Sequence, residues 1–127
     1  MRKLLCVVLT GLLSVLVSAQ KLDPAIATYS KNGRIVAVTN LSGLSDCAAR
    51  SAFGKVSDVK VEGETARVSL RENKVDADVE IPLARLSADD RKAIFRHFLS
   101  KKVKLRVAGY ACTPDAAITA FSVDRIY

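Results

Sequence analysis

Apolar and polar residues alternate along most of the second half of the chain. Ala66, Val68 and Leu70 are separated by Arg67 and Ser69, and the segment 75–81 repeats this period of two. A period of two is typical of a β-strand with one face in a core and the other in solvent. The patterns predict five strands after residue 52, in the segments 53–61, 65–71, 75–81, 103–112 and 116–127.

One helix is predicted between the third and fourth of these strands. Ser87 is a suitable N-cap, acidic residues follow in the first turn, and Lys101 and Lys102 stand at the far end, where the helix dipole favours cations. At 100° per residue an apolar face is formed by Ile94, Phe95, Phe98 and Leu99. His97, the sole histidine of the chain, falls at the edge of this face.

Another pair of strands is predicted before this unit, over residues 26–40. Asn32-Gly33 lies between two apolar runs and indicates a two-residue hairpin turn of type I′, in which both central residues need positive φ. The segment 40–51 is rich in Ser, Gly, Asp and Asn, which favours a loop or a short helical turn. Asn40-Leu41-Ser42 also matches an N-glycosylation acceptor, relevant only in a eukaryotic source.

The order strand, strand, strand, helix, strand, strand over residues 53–127 resembles the OB-fold, a five-stranded Greek-key barrel. This resemblance implies a mainly β fold with one helix, preceded here by an N-terminal β-hairpin. The signal-like N-terminus, a cysteine pair and the run "KVKLRVAGYAC" after the helix are also similar to the secreted B subunits of bacterial AB5 toxins. That second resemblance implies a glycan-binding homo-oligomer, although this chain has no Trp.

The first 19 residues are typical of a secretory signal peptide. Arg2 and Lys3 precede an apolar run of about 14 residues, and Val17-Ser18-Ala19 fits a cleavage site. A bilayer-spanning helix needs about 20 residues, so we expect cleavage rather than a retained anchor. The mature chain, residues 20–127, is then one domain, secreted or periplasmic, with no transmembrane segment.

Cys47 and Cys112 are the cysteines that remain after cleavage. In an oxidising compartment they are expected to form one structural disulfide. A metal site or a reactive thiol is the alternative, but neither cysteine has another Cys or a His close to it in sequence. We expect no metal and no cofactor.

Charge divides the candidate surfaces into two. The chain has a net charge of +7, and seven basic residues fall within a short segment that could meet an anionic surface or simply be a solvated face. They are Arg91, Lys92, Arg96, Lys101, Lys102, Lys104 and Arg106. By contrast, Arg67 and Arg71 are expected to pair across strands with the acidic residues of 76–80. A neutralised, non-aromatic face of this kind disfavours nucleic acid as the ligand.

No catalytic pattern is present in the sequence. His97 has no second histidine to share a metal, and neither G-x-S-x-G nor H-E-x-x-H occurs. The expected function is therefore non-enzymatic: an exported domain that binds a protein, peptide or glycan. The alternatives are a glycan-binding oligomeric subunit and a small secreted enzyme inhibitor.

The candidate ligand site is assigned to the aromatic residues that the core does not use. The patterns place all four phenylalanines in the core, Phe53, Phe95, Phe98 and Phe121, and leave Tyr29, Tyr110 and Tyr127. Tyr110 precedes the loop "CTPDAA", which helps to form the rim of the binding face in an OB-fold. The predicted ligand-binding residues are Tyr110, Thr113, Asp115, Arg67 and Arg71.

Overall fold

A computed structural model describes residues 23–126, so the predicted signal peptide and Tyr127 lie outside the described residues. The described chain forms strands and one helix in the predicted order. The strands are β1 Ile26–Tyr29, β2 Ile35–Thr39, β3 Ala48–Glu62, β4 Thr65–Glu72, β5 Val75–Pro82, β6 Lys104–Ala111 and β7 Ile118–Ile126. The helix α1, Ala88–His97, lies between β5 and β6.

Five strands form a nearly closed ring. Around the ring, β3 pairs with β4, β4 with β5, β5 with β7, β7 with β6, and β6 again with β3. The β5–β7 pairing is parallel and the other four are antiparallel. The predicted fold is therefore confirmed: a mainly β, OB-like five-stranded barrel with one helix, preceded by the β1–β2 hairpin.

The alternating apolar residues fill the inside of this ring. Ala66, Val68 and Leu70 of β4 and Val79 and Ile81 of β5 are each no more than 2% exposed. Removing such side chains from water contributes about 1.5–3 kcal/mol for each large residue. The period of two thus sets which face of each strand stabilises the barrel.

The N-terminal hairpin is part of the core rather than an appendage. β2 pairs with β7 through Ala37 and Val38, and Ile35 and Val38 are fully buried. Just beyond β2, Leu41 is buried too, and its N–H donates to the carbonyl of Phe121. The barrel therefore depends on the hairpin for part of its apolar interior.

Helix α1 begins and packs as its sequence predicts. The Ser87 hydroxyl accepts a hydrogen bond from the N–H of Asp90 at 3.2 Å, which satisfies one free donor of the first turn. Ile94, Phe98 and Leu99 are buried in the same core as the strands, and Phe95 is partly buried against it. No helix among the described residues is both long and apolar enough to cross a membrane.

The N-terminal turn differs from the predicted type. Of Asn32 and Gly33, only Gly33 has positive φ, at 77°. The Gly33 N–H donates to the Ser30 carbonyl, and the Ser30 N–H donates to the Arg34 carbonyl, so the connection is longer than two residues. The prediction of a type I′ turn at Asn32-Gly33 is wrong, because the β1–β2 register shifts after Thr28.

Two positive-φ residues instead form the β4–β5 turn. Asn73 and Lys74 have φ of 51° and 68°, between the paired residues Glu72 and Val75. The pattern of signs is that of a type I′ turn, for which glycine is the usual second residue. The sequence "ENK" contains no glycine, which is why the turn type was not predicted there.

Strand β3 begins earlier than the sequence indicates. Residues Ala48 to Ser51, predicted as a loop or helical turn, pair with β6 from Ala111 to Ala108. This stretch has weak strand propensity and no alternation of apolar and polar residues. In the structure all four of its residues are exposed. Pairing with β6 beside the disulfide, rather than local preference, extends the strand.

Two of the four phenylalanines are not in the core. Phe53 is 41% exposed because its neighbour Gly54, not Phe53, occupies the inward position before Val56. Phe121 is only half-buried, because the β6–β7 register shifts between Ala108 and Gly109 and leaves Phe121 unpaired as a bulge. The core assignment of these two residues is therefore wrong.

Candidate functional site

A disulfide closes one end of the β3–β6 ladder. Cys47 and Cys112 form the predicted bond, with their Cα atoms 4.6 Å apart. The next residues inward, Ala48 and Ala111, are the first pair of that ladder. The bond thus holds the start of β3 and the loop after β6 together.

The predicted charge ladder on β4 and β5 is confirmed. Arg71 binds Asp76 through two contacts, of 2.8 and 3.1 Å, and Arg67 pairs with Glu80 at 3.4 Å. The Asp76 carboxyl is held below its usual pKa, chiefly by its hydrogen bond from Arg71. Because these groups are exposed, we expect the pairs to add little stability.

Beside this ladder is a shallow concavity of about 210 Å³, which we call the charged concavity. It is lined by groups of both signs from β3, β4 and β5, and by Ala117 of the loop before β7. Arg67 is the only predicted ligand residue that lines it. The polar groups there are Asp58, Lys60, Arg67, Ser69, Asp78 and Glu80.

A second surface covers the outside of β3, β6 and β7 at the disulfide end. The bulge at Phe121 turns its ring outward, and the Tyr110 ring meets it edge-to-face, with centroids 6.4 Å apart. We call this the aromatic surface, a concavity of about 370 Å³ lined by Ala49, Arg50, Ser51, Ala108, Gly109, Tyr110 and Phe121. The residues between and beside the two rings are small, so both rings are accessible at the surface.

The loop after β6 continues the aromatic surface. Thr113 lines an adjacent concavity of about 410 Å³ that shares Ala49 and Arg50 with it. The Arg50 guanidinium donates to the Pro114 carbonyl at 2.9 Å and fixes the loop against β3. Tyr110 and Thr113 therefore line two neighbouring concavities rather than a single one.

The other predicted ligand residues lie elsewhere. Asp115 is exposed in the same loop but lines neither of these two concavities. Arg67 lines the charged concavity, and Arg71 lines a separate concavity at the β4–β5 turn. The five predicted residues do not form a single cluster, because the ring turns β4 and β6 toward different sides.

The basic segment is likewise divided by the fold. Arg91 pairs with Glu64 at 3.3 Å and Arg106 with Asp124 at 3.9 Å. The remaining five residues fall in three places. Lys92 and Arg96 line a groove of about 870 Å³ between α1 and the β1–β2 turn, Lys101 and Lys102 lie in the turn before β6, and Lys104 begins β6.

His97 ends α1 at the edge of the core, where it was predicted. Its carbonyl accepts a hydrogen bond from Arg125 at 3.1 Å. The His97 pKa is lowered, first by desolvation and then by the charges of Arg34, Arg96 and Arg125. Among residues 23–126, no group of three or more His, Cys, Asp or Glu side chains is placed to hold a metal ion.

The side chain of Asn40 is already engaged. Its amide donates to the Pro24 carbonyl at 3.1 Å and accepts from Arg85 at 3.2 Å. A glycan would be attached to the same nitrogen that makes the first of these bonds. The acceptor motif therefore coincides with a structural contact that holds the chain before β1.

Sequence reasoning missed several residues with accessible side chains. Phe53, Lys55 and Lys74 line the concavity at the β4–β5 turn, together with Arg71 and Lys104. The signal for Phe53 and Lys55 was present, since both are an odd number of residues from the inward Val56. The signal for Phe121 was contradictory, since it is an odd number of residues from the buried Ile118 and Ala120 but an even number from the buried Val123, on the other side of the bulge.

No protein-family model matches the chain, and no curated protein matches it significantly. A functional assignment therefore rests on the geometry of these surfaces.

Proposed function

We propose that this protein is an exported, non-enzymatic OB-like domain that binds a protein partner or another ligand through its aromatic surface. The observation that carries this proposal is the bulge that turns Phe121 outward beside Tyr110. Half-exposed aromatic side chains over a floor of small residues are typical of recognition sites, because large rigid rings bury much area at little entropic cost.

Export is supported by the disulfide, because such bonds persist in oxidising compartments. The periplasm or the extracellular space is therefore the proposed location. A non-catalytic role is supported by the sequence, in which neither G-x-S-x-G nor H-E-x-x-H occurs and His97 is the sole histidine.

Site-specific photo-crosslinking of the full chain, expressed in its native host, tests this proposal. A photoreactive phenylalanine analogue replaces Tyr110, and in a matched control it replaces Lys60, whose side chain is 72% exposed in the charged concavity. We expect a discrete crosslinked product from position 110 and none from position 60. Products from position 60 alone, or from neither position, would overturn the aromatic surface as the contact site.

A glycan-binding oligomer remains a second candidate, and the same aromatic pair favours it. Sugar rings pack their C–H faces against aromatic side chains, and Tyr110 also carries a hydroxyl for hydrogen bonding. Light scattering after size-exclusion chromatography, together with a glycan array, separates the two candidates. An oligomer that binds glycans, and loses them in a Tyr110→Ser variant, supports this second function; a monomer that binds none excludes it.

A further inference from the structure

Three cationic residues stand side by side across three neighbouring strands. Lys55 of β3 is directly opposite Lys104 of β6 and, on its other side, directly opposite Arg71 of β4. All three are exposed, and each lies next to an inward-facing residue, so their side chains share the outer face of the barrel. The row therefore concentrates positive charge across three adjacent strands, with β3 between β4 and β6.

This arrangement is unfavourable for the protein alone. Like charges directly opposite one another destabilise a strand pair. Arg71 is compensated by Asp76, but among residues 23–126 no carboxylate forms an ion pair with Lys55 or Lys104. The two lysines therefore repel each other without a partner in the described part of the protein.

The adjacent turn adds a fourth cation. Lys74 has φ of 68°, a conformation that costs a side-chain-bearing residue and that glycine adopts freely. It also has no ion-pair partner among the described residues. The turn thus has a lysine at a position where glycine would adopt the same backbone conformation at lower free energy.

These cations surround a concavity that has an aromatic wall. The concavity at the β4–β5 turn, which we call the cationic pocket, has a volume of about 400 Å³. It is lined by Phe53, Lys55, Arg71, Glu72, Lys74 and Lys104, together with Gly54 and Asn73. Phe53 is 41% exposed, and Glu72 is the one carboxylate there. The pocket thus combines an excess of positive charge with an apolar ring.

We propose that the cationic pocket binds a phosphate or sulfate ester carried on a small ring, such as a sugar. The oxyanion would lie between Lys55, Lys74 and Lys104, where charge-assisted hydrogen bonds offset the repulsion described above. The ring to which it is attached would pack on Phe53. This site lies away from the aromatic surface, and its occupation does not depend on the proposed function.

Amide chemical-shift titration of the ¹⁵N-labelled mature protein tests the proposal. The probes are glucose 6-phosphate, glucose 6-sulfate, inorganic phosphate and glucose, all at one fixed ionic strength. We expect the two esters to shift the amides of Phe53, Lys55, Lys74 and Lys104, inorganic phosphate to bind more weakly, and glucose to have no effect. If chloride at the same ionic strength produces the same shifts, the cations are merely screened and the proposal fails.

Paired variants separate the roles of charge and ring. Lys55→Gln should weaken glucose 6-phosphate binding about tenfold, the loss expected for one charge-assisted contact. Phe53→Ser should reduce the affinity for glucose 6-phosphate to that for inorganic phosphate. The control is Lys60→Gln on the same strand, whose lysine pairs with Glu62 at 3.3 Å and lies outside the pocket. Equal affinities in Lys55→Gln and Lys60→Gln would overturn the site.

Lys74→Gly distinguishes ligand binding from a structural role. The variant should be more stable than the wild type, because glycine suits the positive φ of this turn. It should nevertheless bind glucose 6-phosphate about tenfold more weakly. Unchanged affinity in this folded variant would overturn the proposed position of the oxyanion between Lys55, Lys74 and Lys104.

Discussion

Gly109 lies in β6 directly against the backbone of β7. A Cβ atom at this position would lie only 1.9 Å from the carbonyl oxygen of Thr119, which is backbone and cannot rotate away. The close approach occurs beside the bulge that turns Phe121 outward. Absence of a side chain at Gly109 is therefore a condition for the geometry of the aromatic surface.

Gly109→Ala should accordingly destabilise the protein by about 3 kcal/mol or more, since the strands must separate to admit the methyl group. Gly43→Ala is the matched control, because the nearest atom there is the end of the Arg85 side chain at 3.4 Å. Urea unfolding measures both. A loss at Gly109 no larger than that at Gly43 would show that β6 and β7 do not approach as described.

Tyr29 is joined to the start of α1 by a hydrogen bond from its hydroxyl to the Asp90 carboxylate. This bond, reinforced by desolvation and by the charges of Asp90 and Asp89, raises the pKa of Tyr29 to about 12. A pKa raised in the folded state favours the protonated phenol. The stabilisation is therefore complete below the ordinary value near 10 and is lost as the pH rises from about 10 to 12.

Ultraviolet titration of the tyrosines is expected to show one group that ionises near pH 12 in the wild type. Asp90→Asn should return this pKa toward 10, because the variant removes the accepting charge. The control, Asp89→Asn, removes a neighbouring first-turn charge that contributes least to the raised pKa, and should change the titration little. Equal effects of the two substitutions would mean that the hydrogen bond is not present.

At the scale of elements, the hairpin and the helix meet around His97. Arg34 follows the β1–β2 turn, Arg96 lies in α1 and Arg125 in β7, and all three lower the His97 pKa in addition to desolvation. A pKa lowered in the folded state means that the unfolded chain binds more protons as the pH falls. Stability from this source is therefore present above about pH 6.5 and declines as the pH falls through the folded-state value.

Because His97 is the sole histidine, its ring resonance is directly assignable by NMR. We expect a titration midpoint below 6.5. Arg34→Gln should raise this midpoint, whereas Arg106→Gln, whose residue is not among the causes of the shift and instead pairs with Asp124, should not. If Arg34→Gln leaves the midpoint unchanged, the β1–β2 hairpin does not lie close to His97 at the end of α1.

The elements that were predicted from sequence are those with strong local signals. The Ser87 cap and the apolar face of α1 specify the helix, and uninterrupted alternation specifies β4 and β5. The first residues of β3 could not be predicted, because Ala48 to Ser51 become a strand only through pairing with β6. The candidate site was predicted only in part: Tyr110 and Thr113 line neighbouring concavities, but Phe121 lies beside Tyr110 at a bulge that alternation does not reveal.

At the scale of the whole molecule, the disulfide joins residues 65 apart in sequence. Loss of the bond frees a loop of that length in the unfolded chain, which corresponds to about 4 kcal/mol on the chain-entropy model. Cys47→Ala with Cys112→Ala should lose about this much in urea unfolding. Each single variant should lose as much as the double variant, since either removes the bond; losses that add would show that the two cysteines act separately.

Every surface described above depends on closure of the five-stranded ring. The closing contact is the parallel pairing of β5 with β7, in which Val79 is opposite Ile118 and Glu80 is opposite Thr119. NMR of the folded protein tests this pairing directly through backbone NOEs between the two strands. We predict NOEs from Val79 and Glu80 to Ile118 and Thr119 alongside the antiparallel β6–β7 set; a β6–β7 set without any β5–β7 contact would contradict the closed ring.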